Sequence, residues 1–214
     1  MEESSIKSRS IFITQKDLIL ASGSPRRIEF LQGLGLRFNT EVSRAEEPAP
    51  EADERPEKYA RRMARLKAEE VATRFPDHVI IGADTIVVVD DKVLGKPKGT
   101  GEEAKADALR MLTMLSGRSH QVMTGFCIIE PGSSPLTETV STDVSMRISE
   151  KYELEAYIET GEPMDKAGSY AIQGIGGFLV QEINGSYSNV VGLPVTELIE
   201  NLLGIGALAT TNTP

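Results

Sequence analysis

The stretch Leu-Ala-Ser-Gly-Ser-Pro-Arg-Arg at positions 20–27 combines residue types that bind anions. Leu18, Ile19 and Leu20 form a short apolar run that reads as a buried strand. Ser22, Gly23 and Ser24 follow as a polar turn, with Ser24 at the helix N-cap and Pro25 at the first helical position. Arg26 and Arg27 then fall in the first helical turn, where the dipole disfavours an exposed cation by roughly 0.3–1 kcal/mol. Strand, glycine turn, open backbone N–H groups and two guanidinium forks describe an anion site, and phosphate is its natural guest. The same residues also read as two solvated arginines on a surface helix.

Asp84 is the second anomaly. It interrupts an apolar run, with Val79-Ile80-Ile81-Gly82-Ala83 on one side and Ile86-Val87-Val88-Val89 on the other. A carboxylate inside such a strand costs several kcal/mol unless it is paired, hydrogen-bonded or bound to a metal. It either fixes a neighbouring turn or a buried arginine, or serves as metal ligand or general base. Gly82 beside it would let a ligand approach the backbone. Glu46-Glu47 is ordinary surface charge unless Asp84 lies close, in which case two carboxylates make a Mg²⁺ site completed by water and substrate phosphates. Lys96 in Gly95-Lys96-Pro97 is solvated or a second phosphate clamp. The glycine-rich blocks 165–174 and 185–189 are turns, or pocket walls that hydrogen-bond a base or ribose.

The elements that must position these residues alternate along the chain. A helix from Pro25 ends near Gly33–Gly35, and a strand covers 37–43. An acidic, proline-rich loop spans 44–55. A helix from Pro56 places Tyr59, Met63 and Leu66 on one face, with Lys67 flanking it by roughly 70° at ~100° per residue. Val79–Val89 turns at Asp90-Asp91 into Lys92–Leu94 as a hairpin. Residues 102–115 form a helix with Ala104, Ala108, Leu112 and Leu115 inward. Strands follow at 120–130 and 137–148, then a helix capped by Ser149 and ending at Gly161. A last helix runs from Pro194 to Leu203. The order predicts an α/β fold with a mixed sheet rather than a doubly wound parallel one. Residues 1–16 read as a polar extension carrying the patch Ile11-Phe12-Ile13. Residues 17–203 form one domain, and 204–214 a small-residue tail.

Bulk properties narrow the ligand. The chain has 214 residues and a net charge of −9, so a polyanion finds no broadly attractive surface. No nucleic acid polymer and no membrane partner is expected; a local basic pocket suits a small anion. The single cysteine, Cys127, lies in an apolar run and fits a reducing compartment. His78 and His120 lack metal-ligand spacing. No stretch approaches ~20 apolar residues, and the acidic start lacks signal-peptide order, so a cytoplasmic location is expected.

Together, Ala-Ser-Gly-Ser-Pro-Arg-Arg (21–27), Gly-Ala-Asp-Thr (82–85), Gly-Lys-Pro (95–97), Asp-Lys-Ala-Gly (165–168), Ile-Gln-Gly (172–174) and Gly-Leu-Pro (192–194) resemble the Maf family of nucleoside triphosphate pyrophosphatases. The resemblance runs from Leu18 to Leu203. It implies an elongated mixed β-sheet flanked by helices, two lobes with a cleft between them (Maf/ITPase-like), often in a homodimer. It implies hydrolysis of a nucleoside triphosphate to monophosphate and pyrophosphate with a divalent cation, Mg²⁺ or Mn²⁺, in house-cleaning of the nucleotide pool. By this resemblance Asp84 is the proton acceptor, and Lys67 and Lys96 join it as catalytic residues. Ser22, Arg26, Arg27, Thr85 and Gln173 bind substrate, and Glu47 and Asp84 hold the metal. The family's Asp-Glu pair reads Glu46-Glu47 here. Arg26, Thr85 and Gln173 match the subgroup that prefers dTTP and UTP. A 7-methyl-GTP-type pyrophosphatase and a nucleotide-binding regulator of septum formation are the alternatives.

Overall fold

The computed structural model describes residues 10–211. In chain order its elements are β1 (Phe12–Thr14), β2 (Leu18–Leu20), α1 (Pro25–Gly33), β3 (Asn39–Thr40), α2 (Pro56–Arg74), β4 (Val79–Val89), β5 (Lys92–Leu94) and α3 (Glu102–Leu115). There follow β6 (Ser119–Ile129), β7 (Leu136–Met146), α4 (Lys151–Glu159), β8 (Val180–Asn184), α5 (Tyr187–Val191), α6 (Val195–Gly204) and β9 (Leu208–Thr210). Three short 3₁₀ turns, Glu162–Asp165, Ala167–Ser169 and Ile175–Leu179, fill the glycine-rich block between α4 and β8.

The main sheet runs β3-β2-β4-β6-β7-β8, with β5 also paired to β4. β2 lies parallel to β3 and β4, and the remaining pairs are antiparallel. The sheet is mixed, as the order of elements predicts. Asp90 and Asp91 both have positive φ, the backbone of the tight turn that closes the β4–β5 hairpin.

Side chains alternate across β4, and the two faces meet different partners. One face takes α2. The opposite face carries two apolar cores. Val79, Ile81 and Ala83 join α1 and α6 residues such as Leu31, Leu198 and Leu202 in the first. Val87 and Val89 join Leu112, Leu115 and Tyr157 of α3 and α4 in the second. Between them Thr85 on β4 and Thr124 on β6 replace the apolar residues, so a polar belt divides the two apolar cores.

Helix α2 sits against the sheet through alanines. Its buried residues are Ala60, Met63, Ala64, Ala68 and Val71, whereas Tyr59 and Leu66 lie at the margin of this face. The stripe expected from the large apolar residues is thus rotated. The reason lies in the strands. A Cβ on Gly82 would stand 2.4 Å from the Ala64 carbonyl oxygen, and one on Gly125 would stand 2.4 Å from that of Ala60. Two glycines facing a row of alanines let helix and sheet close to backbone contact. The space at Gly82, expected to admit a ligand, is therefore filled by α2.

Other elements differ at their ends. Ser24 occupies the N-cap of α1, but its side chain makes no capping bond there. Ser149 does not cap α4: Glu150 does, its N–H donating to Glu153 Oε2 at 2.7 Å. The strand expected over 37–43 shortens to Asn39–Thr40. At the chain ends, Phe12–Thr14 pairs antiparallel with Leu208–Thr210, and Lys16 Nζ donates to the Ile205 carbonyl at 2.6 Å. Part of the expected small-residue tail is thus a strand, with Leu208 buried in the first core. Residues 1–9 and 212–214 of the expected extension and tail lie outside the described residues.

Candidate active site

The sheet leaves a gap where the chemistry-bearing residues gather. On the edge of β4 away from β6, β2 pairs with residues 79–81 and β5 with residues 87–89. Among the described residues no strand covers 82–86 on that edge. The loop after β2 and the first turn of α1 run beside it, and Asp84 and Thr85 lie within it. The carboxyl end of β2 opens onto this stretch, and crevices outside the carboxyl ends of strands are the usual place for a ligand in open α/β sheets.

A carboxylate cluster forms on the α2 face. Lys67 Nζ donates to Asp84 Oδ1 at 2.6 Å and lies 3.0 Å from Glu47 Oε1. The Lys67 and Asp84 side chains are 15% and 13% exposed, against 54% for Glu47. The strand therefore tolerates Asp84 because a lysine from α2, and not an arginine, neutralises it. The loop residue Glu47 reaches the same ammonium from the open side. Asp84 Oδ2 has no hydrogen-bond partner among the described residues, so it is the oxygen left to face water or substrate.

On the other face Arg27 is a clamp. Its Nε donates to the Gly192 carbonyl and one terminal nitrogen to the Ala83 carbonyl, both at 2.7 Å. The same nitrogen reaches Ser22 Oγ at 3.3 Å, and the other donates to Thr85 Oγ1 at 3.1 Å. Four of the five guanidinium donors are thus used within the fold. The Ala83 carbonyl belongs to the uncovered edge of β4, so the arginine satisfies what a strand would have satisfied. Burial lowers the Arg27 pKa, and the charges of Asp84 and Glu47 oppose that shift. Thr85 Oγ1 lies 2.9 Å from Thr124 Oγ1, which donates to the Asn189 carbonyl at 3.0 Å. Asn189 is fully buried and donates through Nδ2 to Val122 O and Thr142 Oγ1.

Ser22, Arg27 and Thr85 are therefore one group, and Lys67, Asp84 and Glu47 another. Among the described residues, Arg26, Lys96 and Gln173 join neither group by a hydrogen bond or ion pair. Arg26 makes no hydrogen bond or ion pair among the described residues; its charge acts on Glu162 and Asp165. Lys96 is exposed beyond β5, in a loop held where Gly168 N–H donates to the Gly95 carbonyl at 3.0 Å. Gln173 is exposed, and its amide makes no hydrogen bond among the described residues. Cavities elsewhere, such as one of about 260 Å³ between α3 and α4, carry none of these residues. Residues 17–205 match the family described as Maf-like protein. The chain belongs to the Maf family.

Its relatives are similar over nearly their whole length. The chain is 49% identical over 189 residues to a dTTP/UTP pyrophosphatase of Desulfotalea psychrophila, covering 88% of this chain and 94% of that one. It is 46% identical over 197 residues to a dTTP/UTP pyrophosphatase of Nitratidesulfovibrio vulgaris, covering 92% and 91%. A solved structure, the Staphylococcus aureus Ham1 protein, overlaps with a TM-score of 0.43 and 14% identity, covering 61% of this chain and 72% of that one.

The metal implied for a Maf-family site fits the donors present. Glu47 and Asp84 offer hard carboxylate oxygens beside the Lys67 ammonium, with the second oxygen of each carboxylate left for a cation. Among the described residues no group of three or more His, Cys, Asp or Glu converges. One or two carboxylates, with water and phosphate oxygens supplying the rest, is the pattern for Mg²⁺ rather than for an all-protein cage. No described helix is long and apolar enough to cross a membrane. Cys127 is buried, and burial pushes its thiol up to about 12, so it is no nucleophile.

Three residues of this neighbourhood were not legible as site residues. Thr124 interrupts the apolar run of β6 as Asp84 interrupts β4, and that interruption is a usable signal. Asn189 and Glu162 stand among turn residues, where polar side chains are ordinary.

Proposed function

We propose that the chain hydrolyses nucleoside triphosphates to the monophosphate and pyrophosphate, with dTTP and UTP preferred. The observation that carries this reading is the Lys67–Asp84–Glu47 cluster at the uncovered edge of β4. The names of the relatives support the reaction and the bases.

Hydrolysis at the α-phosphorus needs positioning and charge neutralisation more than a covalent nucleophile. Lys67 holds Asp84 Oδ1, which leaves Oδ2 to orient the attacking water and take its proton. The water oxygen bonds to the α-phosphorus, the α–β bridging bond breaks, and pyrophosphate leaves. A divalent cation held by Glu47 and Asp84 would neutralise phosphate charge and lower the pKa of a bound water. Arg26 and Lys96, without hydrogen bonds or ion pairs among the described residues, are the cations left to meet the triphosphate. Arg27 shapes the floor of that site and retains one donor for an anion. Gln173 offers a donor and an acceptor to the imide edge of uracil or thymine.

Pyrophosphate release from a panel of nucleoside triphosphates, with Mg²⁺, with Mn²⁺ and with a chelator, tests the reading. Metal-dependent release favouring dTTP and UTP supports it. Binding without release from any nucleotide would favour a regulator.

A further inference from the structure

The loop that carries Gln173 has a frame built from outside it. Glu162, just after α4, accepts a hydrogen bond from Ile175 N–H through Oε2 at 2.9 Å and from Gly176 N–H through Oε1 at 2.8 Å. Tyr157 Oη donates to the same Oε1 at 2.9 Å and accepts from Ala171 N–H at 3.2 Å. The segment 171–176 is thus held on both sides of Gln173 by two side chains from one place. Gly174, with φ of +121°, lies so close that a Cβ there would stand 2.4 Å from Glu162 Oε2. The carboxylate fills the space a side chain would need. Tyr157 is buried, so the anchor beneath the loop is rigid.

We propose that Glu162 is the positioning residue for base recognition: it fixes Gln173 at the distance and angle from which its amide meets the base. Among the described residues Gln173 has no side-chain partner, so its placement comes from the backbone that Glu162 and Tyr157 hold. A neutral amide in place of Glu162 has one oxygen instead of two, and its nitrogen would face a backbone N–H donor. The Arg26 charge also acts on Glu162, which links a second residue of the expected specificity set to the same frame. Burial raises the Glu162 pKa, but bonds from Gly176, Ile175 and Tyr157 with the Arg26 charge hold it below the ordinary carboxylate range. The carboxylate therefore stays ionised at neutral pH.

The inference rests on the reading of Gln173 as the base-recognition residue, and the test separates the two. Steady-state pyrophosphate release with dTTP, dCTP and dATP is measured for the full chain, E162Q, Gln173→Ala and the double variant. E162Q is expected to raise KM for dTTP about tenfold, the scale of a lost hydrogen bond to a charged group, with kcat little changed. Discrimination against dCTP and dATP falls with it, and the double variant loses no more than Gln173→Ala alone. If E162Q does not fold, Tyr157→Phe takes its place, with the same direction expected. Unaltered discrimination in E162Q, while Gln173→Ala loses it, overturns the positioning role. So do losses that add in the double variant. If Gln173→Ala keeps full discrimination, the reading of Gln173 fails, and the role assigned to Glu162 fails with it.

Discussion

Asp84 and Thr85 are consecutive in the chain and project from opposite faces of β4. Asp84 meets Lys67 of α2, and Thr85 meets Arg27 of α1 and Thr124 of β6. The alternation of a strand thus splits one short motif into two tasks. One face holds the reactive carboxylate, and the other holds the hydroxyl that fixes the arginine clamp. Thr124 gives its single proton to the Asn189 carbonyl, so Thr85 donates to Thr124 and accepts from Arg27.

Replacing Asp84 by Asn keeps the shape and removes the base. Turnover of dTTP is expected to fall at least ~100-fold, the scale of an acid–base role, with nucleotide binding retained. Calorimetric binding alongside a turnover assay checks this, and unchanged turnover would remove Asp84 from the mechanism.

The two arginines should separate cleanly. Arg27→Lys strands the carbonyls of Ala83 and Gly192, each orphaned group costing about 1–3 kcal/mol, so urea unfolding should show a clear loss of stability. Arg26→Lys breaks no hydrogen bond among the described residues and should shift stability by less than about 0.5 kcal/mol while weakening triphosphate binding. Equal stability losses would contradict the division of roles.

Gly125→Ala tests the contact between α2 and the sheet. Its Cβ would stand 2.4 Å from backbone atoms of Ala60, which cannot turn aside as a side chain can. Overpacking of this kind costs about 1–3 kcal/mol, read as a lowered Tm. A Tm equal to that of the parent would show that the helix moves freely.

These particulars show what the sequence made legible. The strand Val79–Val89, its hairpin and the inward face of α3 follow from periodicity, which is local. The face of α2 did not, because it is chosen by Gly82 and Gly125 on strands far away in sequence. Asp84 stood out because a charge in an apolar run needs a partner, and its partner Lys67 is fixed only by packing. Glu162 was silent: two of its partners are backbone N–H groups, which leave no mark on residue type, and the third, the Tyr157 hydroxyl, is brought to it by packing. The strand at Leu208–Thr210 was hidden by its small residues and forms because Phe12–Thr14 lies opposite.

His120 gives a pH dependence. It is 3% exposed, its Nε2 lies 2.7 Å from Tyr170 Oη, and burial lowers its pKa to about 4. The folded value lies below the unfolded value, so the unfolded chain binds the extra proton first. Stability is full above about pH 6.5 and falls towards pH 4 by on the order of 3 kcal/mol. Denaturant midpoints against pH, for the parent and His120→Gln, should differ in slope over that window. Parallel curves would contradict a buried neutral imidazole.

The most direct test of the cluster's chemistry is hydrolysis of dTTP in ¹⁸O-enriched water, with the label located by mass spectrometry. Attack at the α-phosphorus puts the label in the monophosphate and leaves pyrophosphate unlabelled, with both products formed at least ~100-fold more slowly in Asp84→Asn. Label in pyrophosphate would contradict the attack proposed for the Asp84-bound water.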